Sequence, residues 1–150
     1  MVSAPSRQRY RICDLESFPD DGRLRELVDG QVVEWDVPTH LHAFLMLALG
    51  AALRVFVVQH NLGRAVAGDA MVKIEGSDGD VRGADIAFYR HDRLPADIGA
   101  AATATVPDLV VEVLSPSDRA DRVLAKVHDW LRAGVPLLWY VDPHTGGTTV

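Results

Sequence analysis

The segment from Leu109 to Leu114 is apolar at every position except Glu112. A nearly continuous apolar run of this length, opened by Pro107-Asp108 and closed by Ser115-Pro116-Ser117, predicts a strand covered on both faces and therefore central in its sheet. Layers are needed on both sides of such a sheet, which points to strands alternating with helices. The run also sets a chemical problem, because a lone carboxylate buried within it must be protonated, paired or bound to a cation.

The rest of the chain alternates accordingly, as α/β or α+β, with no linker, repeat or low-complexity tract. Leu27-Val28-Asp29-Gly30-Gln31-Val32-Val33 places two short β-prone runs around Asp-Gly, the favoured chemistry of a two-residue turn, and predicts an N-terminal hairpin. After Pro38-Thr39, from about His40 to His60, Leu41, Phe44, Leu45, Ala48, Ala52, Val55 and Phe56 recur at three- and four-residue steps. That pattern predicts a long helix, ended near Asn61-Leu62-Gly63. Arg64 to Glu75 and Val81 to Tyr89 predict paired strands around a Gly76-Ser77-Asp78-Gly79-Asp80 turn, and residues 90–106 read as a loop with a short helical turn. Ser115 and Ser117 offer capping hydroxyls for a helix over Asp118 to Ala133, with Val123, Val127, Trp130 and Leu131 on one stripe and Gly134 at its end. Leu137 to Val141 predicts another buried strand. Asp142 to Gly147 then forms a turn, and Thr148-Thr149-Val150 begins a strand whose remainder is expected beyond the sequence given. The expectation is one domain over residues 1–150, with 1–20 a loosely ordered lead-in.

Composition narrows the function. Hydrophobic residues make up 48%, enough for a core and against disorder. The longest apolar stretch, Ala43 to Leu53, is broken by Gly50 and closed by Arg54, short of the roughly 20 residues of a membrane span, so no membrane association is expected. Arg7, Arg9 and Arg11 lead into no apolar run, which argues against a secretory signal. The single cysteine, Cys13, cannot form an internal disulfide and is expected as a small buried side chain in a cytoplasmic protein. Fifteen basic against 21 acidic residues give −6, which argues against tight non-specific nucleic-acid binding.

Asp85, within Ala84-Asp85-Ile86-Ala87-Phe88, repeats the anomaly of Glu112. Neighbouring strands can bring two such acids to one place and form a hard oxygen site suited to Mg²⁺. The plain alternative is that each acid pairs with an Arg at a sheet end. Lys126 flanks the apolar stripe of its helix, from where its amine can reach towards Glu112 or, on the plain reading, extend into solvent. Ser115 lacks a Gly-x-Ser-x-Gly frame, Gly63 to Gly68 makes no phosphate fingerprint, and His40 and His42 lack the four-residue spacing of a helical metal pair. Serine hydrolase, nucleotide-loop and zinc readings therefore lose ground.

Five segments carry a family resemblance. They are Arg25-Glu26-Leu27-Val28-Asp29-Gly30, Pro38-Thr39-His40-Leu41-His42, Val81 to Phe88, Pro107 to Ser117 with Lys126, and Ala133 to Pro143. In this order the chain resembles the Uma2 family of restriction endonucleases, within the PD-(D/E)XK nuclease superfamily, over about residues 20–150 and most specifically from Glu112 to Pro143. The resemblance implies an α/β restriction-endonuclease-like core: a central mixed sheet flanked by helices, with an N-terminal β-hairpin. It implies that Asp85 and Glu112 hold a catalytic Mg²⁺ or Mn²⁺, with Val113 lending a backbone carbonyl. Lys126 would replace the lysine usual two residues after the Glu, where this chain has Leu114. Glu26 and His42 would support the site or add a ligand. The chain departs from the pattern at Ala84, where a proline is usual, and at Arg25, where a tyrosine is usual; neither removes a ligand.

The implied activity is metal-dependent endonucleolytic hydrolysis of phosphodiester bonds in nucleic acid, with DNA the first expectation. The alternative, motivated by the −6 charge, is a catalytically inactive nuclease-fold module for binding or assembly. A homodimer pairing exposed strand edges across a two-fold axis is compatible with either.

Overall fold

The structure, a computed structural model, describes residues 8–15, 17–35, 38–74, 79–96, 102–116 and 118–150. Its elements in chain order are α1 (Ile12–Leu15), β1 (Arg25–Val28), β2 (Gln31–Glu34), α2 (His40–Gln59), β3 (Gly63–Lys73), β4 (Val81–Arg90), a 3-10 turn (His91–Arg93), β5 (Leu109–Val113), α3 (Ala120–Ala133), β6 (Leu138–Asp142) and β7 (Gly147–Thr149). The strands form one mixed seven-stranded sheet. β5 pairs antiparallel with β4 and parallel with β6, α3 making the crossover. β3 runs antiparallel along β4, while the β1–β2 hairpin joins the start of β4 through Leu27 opposite Val81. This is the α/β architecture expected, with the hairpin at its N-terminal side. The expected turn residues Gly76, Ser77 and Asp78, together with Glu75 and Ser117, lie outside the described residues.

β5 is buried at all five positions, as its apolar run requires. Its side chains alternate between two layers, following the period of two of a strand. Val110 packs with Trp130 and Ala133 of α3, whereas Leu109 and Val111 pack with Ile86 and with Met46, Leu49 and Leu53 of α2. In the hairpin, Asp29 and Gly30 both take positive φ, 50° and 69°, which is the requirement of the tight turn that Asp-Gly meets. The Thr39 hydroxyl accepts the His42 amide and starts α2.

Several expectations need correction. The residues whose spacing revealed α2 are largely not those it buries: Leu41, Phe44, Val55 and Phe56 are exposed, and the sheet takes His42, Met46, Leu49, Leu53 and Val57 instead. α2 is also 20 residues long and apolar enough by length and composition to cross a membrane, because only Arg54 interrupts its charge-free sequence. Leu131 faces out of α3, since the buried Asp129, Trp130 and Ala133 set its inward side. The N-cap of α3 is Arg119, whose side chain makes no capping bond, and among the described residues Ser115 gives its amide to the Asp118 carboxylate. Cys13 is exposed, because α1 turns Ile12 and Leu15 towards Leu27, Val81 and Ala102. β6 is half-buried except at Tyr140.

Candidate active site

The β4–β5 ladder ends with Ile86 opposite Val111. Asp85 and Glu112 are the next residues beyond that last rung on the two strands. Here the strands stop exchanging backbone bonds. Val113 N–H donates instead to Asp85 Oδ2 at 2.7 Å, so a side chain takes the place of a carbonyl and the strand ends part. A cavity of about 370 Å³ opens between them, and Asp85, Glu112, Val113, His42 and Lys126 all line it.

Each acid has a partner, though not the arginine of the plain reading. His42, in the first turn of α2, places Nε2 3.2 Å from Asp85 Oδ2. That hydrogen bond outweighs burial and raises the imidazole pKa above its ordinary value. Glu112 receives Lys126 Nζ on Oε2 at 2.9 Å and Trp130 Nε1–H on Oε1 at 2.8 Å, both from α3. Burial pushes the Glu112 carboxyl up to about 8, against the pull of Lys126. For Lys126, burial alone would lower the pKa, but the carboxylates of Glu112 and Glu26 outweigh it and hold the ammonium above its usual range. The amine also sits 3.5 Å from Glu26 Oε1 and 5.4 Å from the centre of the Trp35 ring, so it points inward.

Glu26 is fully buried and its carboxylate is committed. Oε1 accepts the Gly83 amide, and Oε2 accepts Trp35 Nε1 and Arg82 Nη1. Arg82 in turn reaches Asp129 of α3. This chain of charge-assisted bonds fastens the hairpin and α3 to β4 behind the cavity.

Among the lining residues that sequence reasoning missed, two stand out. Between Ala67 and Ala70 the β3 register slips, so that Gly68 and Asp69, both at positive φ, face the single residue Asp85 of β4. This bulge carries Asp69 to the cavity wall, where burial and the charge of Asp85 raise its carboxyl pKa. The signal was a glycine inside a strand pattern. The second is Tyr140, opposite Glu112 on β6, whose buried hydroxyl has no hydrogen-bond partner among the described residues and which lines the cavity. Burial, and then the charge of Glu112, raise its pKa. No sequence signal distinguished it from a core tyrosine.

The donor set fits a hard, hydrated divalent ion. Mg²⁺ takes one or two carboxylates and completes its shell with water and phosphate oxygens. Among the described residues Asp85 has no hydrogen bond on Oδ1, and each Glu112 oxygen accepts only one, leaving a lone pair. Among the described residues no group of three or more His, Cys, Asp or Glu is arranged to hold a metal ion, so the two carboxylates would have to be completed by water and substrate oxygens. Even with Glu112 protonated, Glu34, Asp69, Asp85 and Asp118 outnumber Lys126, Arg122 and a protonated His42 around the cavity, so it disfavours phosphate until a cation enters.

A family model described as "Putative restriction endonuclease", Uma2, matches residues 9–150. A crystal structure described as "a putative nuclease belonging to DUF820" from Anabaena variabilis ATCC 29413 shares the fold, with a TM-score of 0.76 at 19% identity over 89% of this chain and 74% of that one. No curated protein matches the chain.

Proposed function

The chain belongs to the Uma2 family, and from that premise we propose that it is a metal-dependent endonuclease that hydrolyses phosphodiester bonds in DNA. The observation that carries this reading is the convergence of Asp85 and Glu112, from adjacent strands, on one cavity at the point where their ladder ends. Asp85 and Glu112 would hold Mg²⁺ or Mn²⁺, with the Val113 carbonyl as a further oxygen donor. When bound, the ion supplies Lewis acidity and lowers the pKa of a coordinated water. The protein's own groups do the rest. His42 and the Val113 amide fix the Asp85 carboxylate, and Trp130 fixes Glu112. Lys126, held charged, has no lone pair with which to take a proton; it orients the attacking water as a donor and offsets charge gathering on the phosphate. Arg122, whose guanidinium lies 6.0 Å from the Trp35 ring centre beside the cavity, is placed for a backbone phosphate.

The test is plasmid cleavage in Mg²⁺ or Mn²⁺ by the wild type, Glu112→Gln and Asp85→Asn. Both variants are expected to lose activity by a factor of about 10² or more; cleavage that persists in them rejects the assignment. A second reading, a silent nuclease-fold binding module, draws on Glu112 being already held by Lys126 and Trp130 and on the −6 charge. It predicts no cleavage by the wild type and no stabilisation by Mn²⁺.

A further inference from the structure

α2 presents two apolar faces and the fold uses one. On the other, Leu41, Phe44, Ala48, Ala51, Val55 and Val58 repeat at alternating three- and four-residue steps, the spacing of a coiled-coil seam. Leu41 is 50% exposed, Phe44 65%, Val55 54% and Val58 62%, with Leu47 and Phe56 open beside them. At 1.5 Å per residue the seam is about 25 Å long. The six exposed large side chains amount to roughly 600 Å² of apolar surface, the upper end of what a monomer leaves open. That is most of the roughly 800 Å² per partner of a standard interface.

The order of sizes along the seam identifies the occupant. It reads bulky, bulky, small, small, bulky, bulky, and so is the same from either end. Turned antiparallel about a two-fold axis at the helix midpoint, Leu41 meets Val58, Phe44 meets Val55, and Ala48 meets Ala51. The alanines let the helices approach while the bulky ends interlock, and Arg54, the one charged residue of the helix, flanks the seam where its head reaches solvent. An unrelated partner would have to supply a matching order of its own, whereas a second copy turned end for end already carries it. We propose that α2 packs antiparallel against α2 of a second copy, forming a two-fold homodimer. Lipid-binding helices instead carry a polar side rich in Lys and Arg, whereas α2 has only Arg54 and lays its other apolar side on the sheet of a chain with net charge −6. The dimer is independent of the nuclease reading, and plasmid cleavage does not decide it.

Sedimentation of the full chain over a wide concentration range tests it. The wild type is expected at twice the 16.4 kDa chain mass. Phe44→Glu and Ala51→Glu are each expected to weaken association at least 100-fold while keeping a cooperative melt. Should either fail to fold, a cross-link decides: in a Cys13→Ser background, a mixture of Ala48→Cys and Ala51→Cys chains should oxidise to a mixed disulfide dimer faster than either forms its own. A monomer at every concentration, a dimer that survives both glutamates, or a monomer that sediments with phosphatidylserine vesicles overturns the proposal.

Discussion

At Glu112 two opposed effects meet, burial disfavouring the anion and the Lys126 ammonium favouring it, and the carboxyl retains its proton up to about 8. An unfolded chain releases that proton near 4.5. Between these values the native state binds more protons than the unfolded one, so this group's contribution is complete below about 4.5 and is lost as pH rises through about 8. In EDTA, the urea midpoint of the wild type is therefore expected to fall from pH 5 to pH 9, and Glu112→Gln to flatten that fall. An unchanged slope in the variant would place the titration elsewhere. Glu112 and Asp85 were legible in the sequence because a carboxylate in an apolar strand breaks the pattern around it. Asp69 was not, because it sits at the bulge where the strand period fails. Cys13 was misread because its type, rather than its place on α1, set the expectation of burial.

Among the elements, the strands read most directly. β5 needed both faces covered and has them, and Asp29-Gly30 supplied the only backbone its turn accepts. α2 was found from the wrong face: a helix apolar on both sides has a clear period, but period alone does not choose which side meets the sheet. That choice is made by His42, which must reach Asp85, and by Met46, Leu49 and Leu53, which must cover Ile86 and Val111. The turn from α2 into β3 is equally constrained. A Cβ on Gly63 would lie 2.0 Å from the Tyr89 carbonyl oxygen, on the first rung of the β3–β4 pairing. Gly63→Ala should force that rung apart and destabilise the fold by about 1–3 kcal/mol, measured as a lowered urea midpoint. Gly134→Ala, with nothing within 4 Å of its Cβ, should cost only its left-handed backbone at φ 88°, roughly 1 kcal/mol. Equal losses in the two variants would contradict the packing at Gly63.

For the molecule as a whole, the site joins parts that are distant in the chain: the hairpin through Glu26, α2 through His42, β4 and β5 through the two acids, and α3 through Lys126 and Trp130. A ligand held by Asp85 and Glu112 should thus stabilise the fold globally, because the unfolded chain has no such pocket. At an Mn²⁺ concentration 100-fold above Kd the gain is about 2.7 kcal/mol, which in a domain of this size raises Tm by roughly 5–10 °C. Binding there would require Glu112 as the anion, whose carboxyl burial pushes up to about 8. The Mn²⁺-induced rise in Tm should therefore increase from pH 6.5 to pH 8.5, although the metal-free protein loses stability over the same interval. Asp85→Asn should remove the rise at both pH values. A rise that is independent of pH, or that persists in Asp85→Asn, would mean that the ion binds other carboxylates of this acidic chain and that the cavity holds none.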